Sequence, residues 1–476
     1  MALLLAARTP AIAIRALCQT AALAWLIAVG ASLSPAQAAT NIERVVSPGG
    51  IEAWLVREPS LPLVAIDFAF RNGSAQVPAN KAGLASLMTD SLDEGAGDID
   101  SRAFHEELEN YAIGMGFSAS RDQISGWLRT LAEHQDKAFN LLKLALTKPR
   151  FDDEVVERIR NQTMAGLRRA TTNPNDIASR RWWHAAFPGH PYENPTNGTL
   201  ETVPTITRDD IKDFAGRVFT RDTLKIGIVG NIDAVEAGKI VDRIFGDLPV
   251  KSKVVPVPDV QPQALGQNIK VDLDVPQSVV MVGGAGIPRK DPDFMAAYVL
   301  NHILGGGSFS SRLYKEVRET RGLAYSVYSS LVPLDHAALF VAGTATRGDR
   351  AAQALEVIEE EIRKIAKDGP AAQELADAKS FLKGSFALRF DTSSKIASQL
   401  VQMQVDDLGI DYIVKRNSLV DAVTLDDVKR VARRILDAKM LAVVVGRTQN
   451  AVASSGGATP TPVSSPAAAP AKREGQ

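Results

Sequence analysis

The chain has 476 residues, of which 54 are basic and 55 are acidic, so its formal charge is close to zero. A chain with so little net charge has no general electrostatic attraction to nucleic acid or to an anionic membrane surface. The length exceeds what one hydrophobic core ordinarily fills, and we therefore expect two or more domains.

Residues 1–38 have the pattern of a cleaved secretory signal peptide. Arg8 and Arg15 precede an apolar run at residues 21–33, and residues 36–38 (AQA) form the small-x-small pattern of a signal peptidase site. The alternative is a retained N-terminal membrane anchor. The apolar run is short for a membrane span, which needs about 20 residues, so the pattern favours cleavage.

The weakly basic, arginine-bearing signal is typical of export to a bacterial periplasm, and a mitochondrial presequence is the alternative. Cys18 is the single cysteine of the chain and leaves with the signal peptide. The mature chain can therefore form no disulfide, although an oxidising compartment would permit one. We expect a periplasmic protein without membrane attachment after cleavage.

The six histidines do not form a recognisable metal motif. His105, in the segment FHEEL, has acidic neighbours but no second histidine four residues later, and the segment is typical of a solvated helix face. His184 and His190 are six residues apart, which is poor spacing for a zinc pair on one helix, and we interpret them as loop packing. The sequence also lacks a G-x-S-x-G motif for a serine nucleophile.

Two segments on either side of a proline-rich stretch repeat one pattern. Residues 206–231 and 423–447 share one order of features. A threonine (Thr207 or Thr424) and two aspartates come first, an amphipathic helix continues from them, and a short apolar strand follows. Threonine caps a helix start, and early acids favour its positive end. Each half also opens with an alternating strand, LVAIDFAFRNG or SVVMVGGAG. The fold class predicted is α+β, with two homologous α/β-sandwich-like halves, each an antiparallel sheet covered by helices on one face.

The composition predicts five segments. Proline disfavours both helices and sheet interiors, so the proline-rich stretch is a linker. The Ala/Pro/Ser/Thr-rich C-terminal stretch cannot bury enough apolar surface to become ordered. We predict a signal peptide at 1–38, an N-terminal domain at 39–248, a linker at 249–265, a C-terminal domain at 266–448 and a disordered tail at 449–476.

The stretch GGGSFSSRLYKEVRETRGLAYSVYSS begins at Gly305 and suggests a phosphate-binding loop, but its details exclude one. A P-loop requires a lysine followed by Ser or Thr, and none follows these glycines. The dinucleotide fingerprint G-x-G-x-x-G requires a third glycine where Ser310 stands. We therefore do not expect nucleotide binding here.

The same stretch predicts a helix, a left-handed turn at Gly322 and then a strand with alternating sides. If the strand folds back along the helix, Arg318 lies roughly 6 Å before the turn and Tyr325 roughly 10 Å beyond it, so their side chains can converge. The alternative for Arg318 is a surface ion pair with Glu316 or Glu319.

The chain resembles the pitrilysin-type zinc peptidase family over residues 45–447. Three stretches carry the resemblance: RNGSAQVPANKAGLASLM, FPGHPYENPTNGTLETVPTITRDDIKDF and LGGGSFSSRLYKEVRETRGLAYSV. Active members of this family carry H-x-x-E-H on a helix, in which the two histidines bind zinc and the glutamate is the general base.

The resemblance places other residues where the zinc site would be. Ser86 stands for the first histidine, Thr89 for the glutamate and Asp90 for the second histidine. The third ligand of the family, a glutamate, would fall near Gly166, where no carboxylate is present. We therefore expect no metal site, no catalytic residue and no cofactor in this chain.

The resemblance further implies a role for the glycine-rich stretch. In two-subunit members one chain supplies zinc and the other an arginine and a tyrosine, which match Arg318 and Tyr325. We expect these two residues to bind a peptide substrate, together with the loop of Gly305, Gly306, Gly307, Ser308 and Phe309. Orientation of a substrate lowers the barrier of a reaction.

The function expected is that of a non-catalytic subunit of a heterodimeric zinc peptidase, with a partner chain that carries H-x-x-E-H and the zinc. The first alternative is a structural or peptide-binding scaffold with no associated proteolysis. The second is an active peptidase with an unrecognised metal site.

Overall fold

The computed structural model describes residues 41–447, and the predicted signal peptide and tail lie outside this range. Among the described residues, no helix combines the length and the apolar character needed to cross a bilayer. For description, residues 41–248 are called the N half and residues 266–447 the C half.

The N half contains a six-stranded sheet in the order β1-β2-β6-β3-β5-β4. Its strands are β1 (Ile42–Val46), β2 (Glu52–Arg57), β3 (Leu63–Arg71), β4 (Gly114–Ala119), β5 (Gln123–Leu131) and β6 (Leu224–Gly230). Its helices are α1 (Leu84–Thr89), α2 (Ser101–Asn110), α3 (Gln135–Thr147), α4 (Asp153–Ala170), α5 (Pro174–Ala186), α6 (Arg208–Val218) and α7 (Ala234–Phe245).

The C half contains a five-stranded sheet in the order β7-β11-β8-β10-β9. Its strands are β7 (Asn268–Asp272), β8 (Gln277–Ala285), β9 (Ala324–Pro333), β10 (Ala338–Arg347) and β11 (Leu441–Gly446). Its α-helices are α8 (Phe294–Asn301), α9 (Ala351–Asp368), α10 (Ala372–Gly384), α11 (Ser393–Val405), α12 (Tyr412–Ala422) and α13 (Leu425–Leu436).

The two sheets have the same internal order once β1 is set aside. Each is antiparallel except for one parallel pair, β2 with β6 in the N half and β7 with β11 in the C half. The helix before the last strand of each repeat, α6 or α13, starts with a capping box, in which a threonine and an aspartate satisfy each other's backbone N–H groups. The predicted α+β class with two homologous halves is confirmed.

One face of each sheet packs against helices of its own half. Alternation along a strand directs every second side chain to that face. In β3, Val64, Ile66, Phe68 and Phe70 point into the core of the N half. Val280 and Val282 of β8 have the same place in the core of the C half.

The other face of the C-half sheet is covered by α5, a helix of the N half. Trp182 of α5 is fully buried there, and its Nε1–H donates a hydrogen bond to the carbonyl oxygen of Leu441 at 3.2 Å. Gly283 of β8 leaves the space for this ring, since a Cβ at that position would lie 2.7 Å from it. The predicted sandwich had helices on one face of each sheet only, so α5 is an additional covering helix.

The reverse arrangement covers the N-half sheet with α11, a helix of the C half. The Nε2 amide of Gln404 donates to the carbonyl oxygen of Ile226 at 2.8 Å. Gly227 of β6 allows the close approach of the helix, since a Cβ there would lie 2.6 Å from the carbonyl oxygen of Ala397. Each half therefore supplies one helix to the outer sheet face of the other half.

The predicted linker is extended chain that contacts both halves. The N–H of Val260 donates to the carbonyl oxygen of His336 in the C half, at 2.8 Å, and the N–H of Gln263 donates to that of Ala186 in the N half, also at 2.8 Å. The predicted segment boundaries themselves stay a prediction.

Candidate functional site

Arg318 and Tyr325 lie on a helix and a strand joined by a left-handed turn. The helix has π-helical turns over Tyr314–Thr320 and ends at Gly322, which has a φ of 57°. The N–H of Gly322 donates to the carbonyl oxygen of Arg318 at 3.0 Å, which satisfies one of the last carbonyl groups of the helix. The strand that follows is β9, the edge strand of its sheet.

The turn brings the two predicted side chains face to face. The guanidinium carbon of Arg318 lies 4.4 Å from the centre of the Tyr325 ring and 4.8 Å from the centre of the Tyr314 ring. Both distances are within the range of cation–π contact. Tyr325 is 80% exposed and Arg318 is half-buried. The pair therefore lies at the surface, with the arginine supported by two aromatic rings.

The charge of Arg318 is not neutralised within the part of the chain that the structure describes. The ion pair considered above does not form, because Glu316 pairs with Arg321 instead. Glu319 is exposed and makes no ion pair with Arg318. The N–H groups at the edge of the guanidinium remain available to an external acceptor.

The three glycines of the loop pack against the protein's own backbone. Gly305 is buried, and a Cβ there would lie 2.6 Å from the backbone nitrogen of Ser329 in β9. A Cβ on Gly306 would lie 2.6 Å from the side chain of Asn301, and one on Gly307 would lie 2.6 Å from the carbonyl oxygen of His302. Close internal packing thus accounts for the glycines, and their contact with a peptide stays a prediction.

Ser308 and Phe309 are exposed, and so is Gly306. Ser308 has a φ of 48°, a left-handed conformation that non-glycine residues seldom adopt. Phe309 is 72% exposed, and its ring centre lies 4.9 Å from that of Tyr314 in an edge-to-face contact. A continuous row of side chains results, from Phe309 through Tyr314 and Arg318 to Tyr325.

The helix that corresponds to the family's zinc helix is α1, and it carries no histidine. The Oγ of Ser86 donates to the carbonyl oxygen of Thr196 and to Oδ1 of Asn197, both at 3.1 Å. Thr89 is buried and donates from Oγ1 to the carbonyl oxygen of Ser86 at 2.9 Å. Both hydroxyls serve internal hydrogen bonds rather than an open coordination site.

The remaining two positions also fail to supply a ligand set. Gly166 lies on α4, which contacts α1, and it brings no side chain to the space between these helices. Asp90, at the end of α1, is then the one carboxylate among the four positions. A catalytic zinc site ordinarily has three protein ligands, so these residues do not fit a zinc ion.

The histidines of the described chain are also dispersed. His105 contacts a backbone carbonyl one turn earlier in its helix, at 2.8 Å; His184 lies 2.5 Å from Glu193; and the Nε2 of His190 lies 2.9 Å from the carbonyl oxygen of Pro258. Within residues 41–447, no three His, Cys, Asp or Glu side chains are grouped to hold a metal ion.

Comparison with known proteins assigns both halves of the chain. Residues 54–200 match the family model for insulinase (peptidase family M16), and residues 205–382 match the model for the peptidase M16 inactive domain. A protein of Helicobacter pylori named non-peptidase homolog YmxG is 30% identical over 339 residues, which are 70% of this chain and 77% of that protein. The chain belongs to peptidase family M16. The matches to an inactive M16 domain and to a non-peptidase homologue support a non-catalytic member.

Other M16 proteins are similar over nearly their whole length. An uncharacterized zinc protease of Mycobacterium leprae is 26% identical over 88% of this chain and 95% of its own. The crystal structure of a peptidase M16 inactive domain from Pseudomonas fluorescens has a TM-score of 0.81 and 28% identity, covering 86% of this chain and 98% of that chain. The expected family is therefore confirmed.

Sequence reasoning missed Tyr314 as part of the site of this M16 chain. Tyr314 lies four residues before Arg318 on one helix, and residues at that spacing are neighbours on a helix surface. That spacing is the signal that could have identified it. Tyr314 itself is buried, so it supports the arginine from below while Tyr325 covers it from outside.

Proposed function

We propose that this M16 chain is the non-catalytic, substrate-binding subunit of a heterodimeric zinc metallopeptidase. The observation that carries the proposal is the guanidinium of Arg318, held between the rings of Tyr314 and Tyr325 without a carboxylate partner in the described chain. The residues at the zinc positions do not fit the metal, so the zinc would belong to a partner chain that carries H-x-x-E-H.

The geometry of the pair suits a peptide backbone or a peptide C-terminus. A guanidinium is planar, and stacking between rings fixes its plane while its N–H groups remain at the edge. Carbonyl and carboxylate oxygens accept two such donors at once. The hydroxyl of Tyr325 adds a donor beside them. A substrate held this way would be positioned for attack at a centre supplied by the partner.

The proposal includes a location and an architecture. The first 38 residues have the pattern of an exported protein, so the complex would form in the periplasm. The family resemblance implies a chamber between four α+β domains, and this chain supplies two of them. The row from Phe309 through Tyr314 and Arg318 to Tyr325 would face that chamber and the zinc helix of the partner.

The test is kinetic and uses the assembled complex. The chain is co-expressed with an M16 chain of the same genome that carries H-x-x-E-H, and peptide cleavage is measured. Removal of a charge-assisted hydrogen bond costs about 1.5–3 kcal/mol, so Arg318→Ala should lower kcat/KM by about tenfold to a hundredfold.

A matched control separates this role from a general effect of charge. Arg321→Ala removes a second arginine of the same helix region, but its guanidinium already pairs with Glu316. We expect near-normal cleavage from that variant. Unchanged cleavage by Arg318→Ala, with assembly intact, would contradict the positioning role. Peptide binding by every complex without hydrolysis would favour the scaffold alternative instead.

A further inference from the structure

A cavity lies in the C half, apart from the row of Arg318 and Tyr325. Its volume is about 390 Å³, and it is lined by residues of α8, the end of β9, the 3₁₀ segment Ser385–Phe390, α11 and α12 and the loops beside them. This size falls within the range of small-molecule sites, about 300–1,000 Å³. Nothing in the expected function accounts for this cavity.

Arg416 of α12 lines the cavity and is only 3% exposed. One of its guanidinium nitrogens donates to the carbonyl oxygen of Leu382 at 2.6 Å and to Oδ1 of Asn417 at 3.1 Å. Its guanidinium carbon lies 4.6 Å from the centre of the Phe386 ring. Within the described chain, no carboxylate forms an ion pair with Arg416. Burial of a charge without a counterion is unfavourable in free energy. Binding of an anion beside Arg416 would therefore be favourable.

Two further arginines face the same cavity. Arg389 donates to the hydroxyl of Tyr298 at 3.2 Å and has no ion-pair partner among the described residues. Arg289 pairs with Asp406 at 3.2 Å. Asp406 is thus the one carboxylate that lines the cavity, and it is already engaged by Arg289. Two arginines without an ion-pair partner among the described residues therefore line the cavity, the buried Arg416 and the exposed Arg389.

The burial of Arg416 has an electrostatic consequence. Desolvation lowers the pKa of its guanidinium. The neighbouring Tyr298 and Tyr412 partly oppose this shift, and the nearby charge of Arg389 adds to it. Arginine nonetheless stays protonated in proteins. An anion placed between the two guanidinium groups would offset both unfavourable effects.

Besides its charged groups, the cavity has a polar part and an apolar part. The polar part is formed by Asn301, Ser330, Gln399 and Gln402, and the apolar part includes the side chains of Phe294, Met295, Leu331, Met403 and Leu408. The apolar part favours an organic body over a fully hydrated inorganic ion, since burial of apolar surface is favourable. We propose that this cavity binds a carboxylate carried on an apolar body, with Arg416 and Arg389 as the residues that hold the carboxylate. A small organic acid and the C-terminal residue of a peptide share this chemistry.

The proposal goes beyond the proposed function, because it requires neither a partner chain nor the pair of Arg318 and Tyr325. The purified full chain is titrated by calorimetry with N-acetyl-phenylalanine and, separately, with its neutral amide. We expect saturable binding of the acid, and binding of the amide weaker by about tenfold or more, because the charge-assisted hydrogen bonds are lost. Equal binding of acid and amide would overturn the proposal.

The variants identify the residues that bind. Arg416→Gln and Arg389→Gln should each weaken binding of the acid by about tenfold, whereas Arg433→Gln, an exposed arginine of α13 outside the cavity, should leave it unchanged. Arg389 is exposed, so its variant remains informative if Arg416→Gln does not fold. Unchanged binding by Arg389→Gln, or by a folded Arg416→Gln, would contradict the assignment.

Two further ligands separate the sources of the anion. A hexapeptide that ends in phenylalanine with a free carboxylate should bind at least as well as N-acetyl-phenylalanine if the site accepts peptide ends. Weaker binding of the hexapeptide would assign the site to small organic acids, and both results support a carboxylate site. Inorganic phosphate that bound as tightly as the acid, with the same dependence on Arg416, would overturn the preference for a carboxylate on an apolar body.

Discussion

The guanidinium carbon of Arg318 lies 4.4 Å from the centre of the Tyr325 ring. The two residues come from different secondary-structure elements, so the turn at Gly322 sets this distance. Because the tyrosine is largely exposed, the contact restricts the arginine without removing it from solvent. Under the proposed function, this arrangement would leave the guanidinium accessible to an oxygen of the substrate.

The first prediction separates the ring of Tyr325 from its hydroxyl. Tyr325→Phe keeps the stacked ring and removes one donor, so kcat/KM of the assembled complex should fall by about tenfold, a loss equivalent to one hydrogen bond. Tyr325→Ala removes the support for Arg318 as well and should cost more. The double variant with Arg318→Ala should cost less than the product of the single effects, since both groups hold one substrate segment.

The control for this prediction is Tyr328→Phe, on the same strand. Tyr328 is also exposed, at 51%, but it makes no ring contact with Arg318 within the described chain. Cleavage should stay near normal in that variant. Equal losses from Tyr325→Phe and Tyr328→Phe would point to a general effect on β9 and contradict a specific role for the first tyrosine.

The second prediction concerns zinc. The purified chain alone should hold no stoichiometric zinc and should cleave no peptide, because Ser86, Thr89, Asp90 and Gly166 stand where a ligand set would be needed. Metal analysis after dialysis checks the first part, and a peptide assay with and without a chelator checks the second. About one tightly bound zinc ion per chain, with chelator-sensitive cleavage, would refute it.

A positive control tests whether these positions are the right ones. Histidine at residues 86 and 90, together with glutamate at 89 and 166, would restore the pattern of active members. The variant Ser86→His, Thr89→Glu, Asp90→His, Gly166→Glu should therefore gain zinc that the parent chain lacks. Its metal content is measured under the same conditions as that of the parent.

The third prediction addresses the glycines beneath the reciprocal helices. Gly227→Ala places a Cβ 2.6 Å from a backbone oxygen of α11, and Gly283→Ala places one 2.7 Å from Trp182. Each change should destabilise the protein by about 1–3 kcal/mol, as overpacking of a core does. Chemical denaturation measures the free energy of unfolding.

Gly216→Ala is the matched control for these two changes. Gly216 lies in α6 with open space around its Cα, and alanine favours a helix over glycine by about 0.5–1 kcal/mol. This variant should be slightly more stable than the parent. Unaltered stability of Gly227→Ala and Gly283→Ala would mean that the helices sit less closely on the sheets than described.

The fourth prediction concerns the capping box of α13 and its dependence on pH. Hydrogen bonds from the side chain and the backbone of Thr424 hold the pKa of Asp427 at about 2, below its ordinary value of 3.8. The unfolded chain therefore takes up this proton at a higher pH than the folded chain does. The resulting contribution to stability is present above pH 3.8 and is lost as the pH falls toward 2.

Thr424→Ala should lower the free energy of unfolding by about 1 kcal/mol near pH 7, the usual effect of losing an N-cap. The difference from the parent should shrink as the pH falls from 4 to 2. Thr207→Ala, in the corresponding capping box of α6, provides the comparison in the other half. A difference that stays constant over this pH range would contradict the linkage to Asp427.

The repeat was accessible from sequence because its signals are local. A threonine cap followed by two aspartates and an amphipathic helix can be recognised within a dozen residues, and both threonine caps form as expected. The turn at Gly322 belongs to the same class, since a glycine after a helix signals a left-handed end. These features depend on neighbours in the chain and require no tertiary information.

The features that were missed depend on distant residues. The sequences of α5 and α11 do not predict that each helix covers the sheet of the other half. An amphipathic helix can pack on any apolar surface, and its sequence does not specify which one. The small residues that accept them, Gly227 and Gly283, also resemble ordinary strand glycines. The cavity around Arg416 is likewise formed by five separate segments of the chain, so no local sequence pattern predicts it.

The reciprocal placement of α5 and α11 determines how this chain can move. A cut within residues 249–265 would not release two independent domains. Each sheet has one apolar face that is covered by a helix of the other half, and that face would be exposed if the fragments separated. Separation of the two halves would expose both of these apolar sheet faces to water, which is unfavourable. If the proposed function is correct, a long peptide would enter and leave by a movement between this chain and its partner, because a movement within this chain would expose apolar surface.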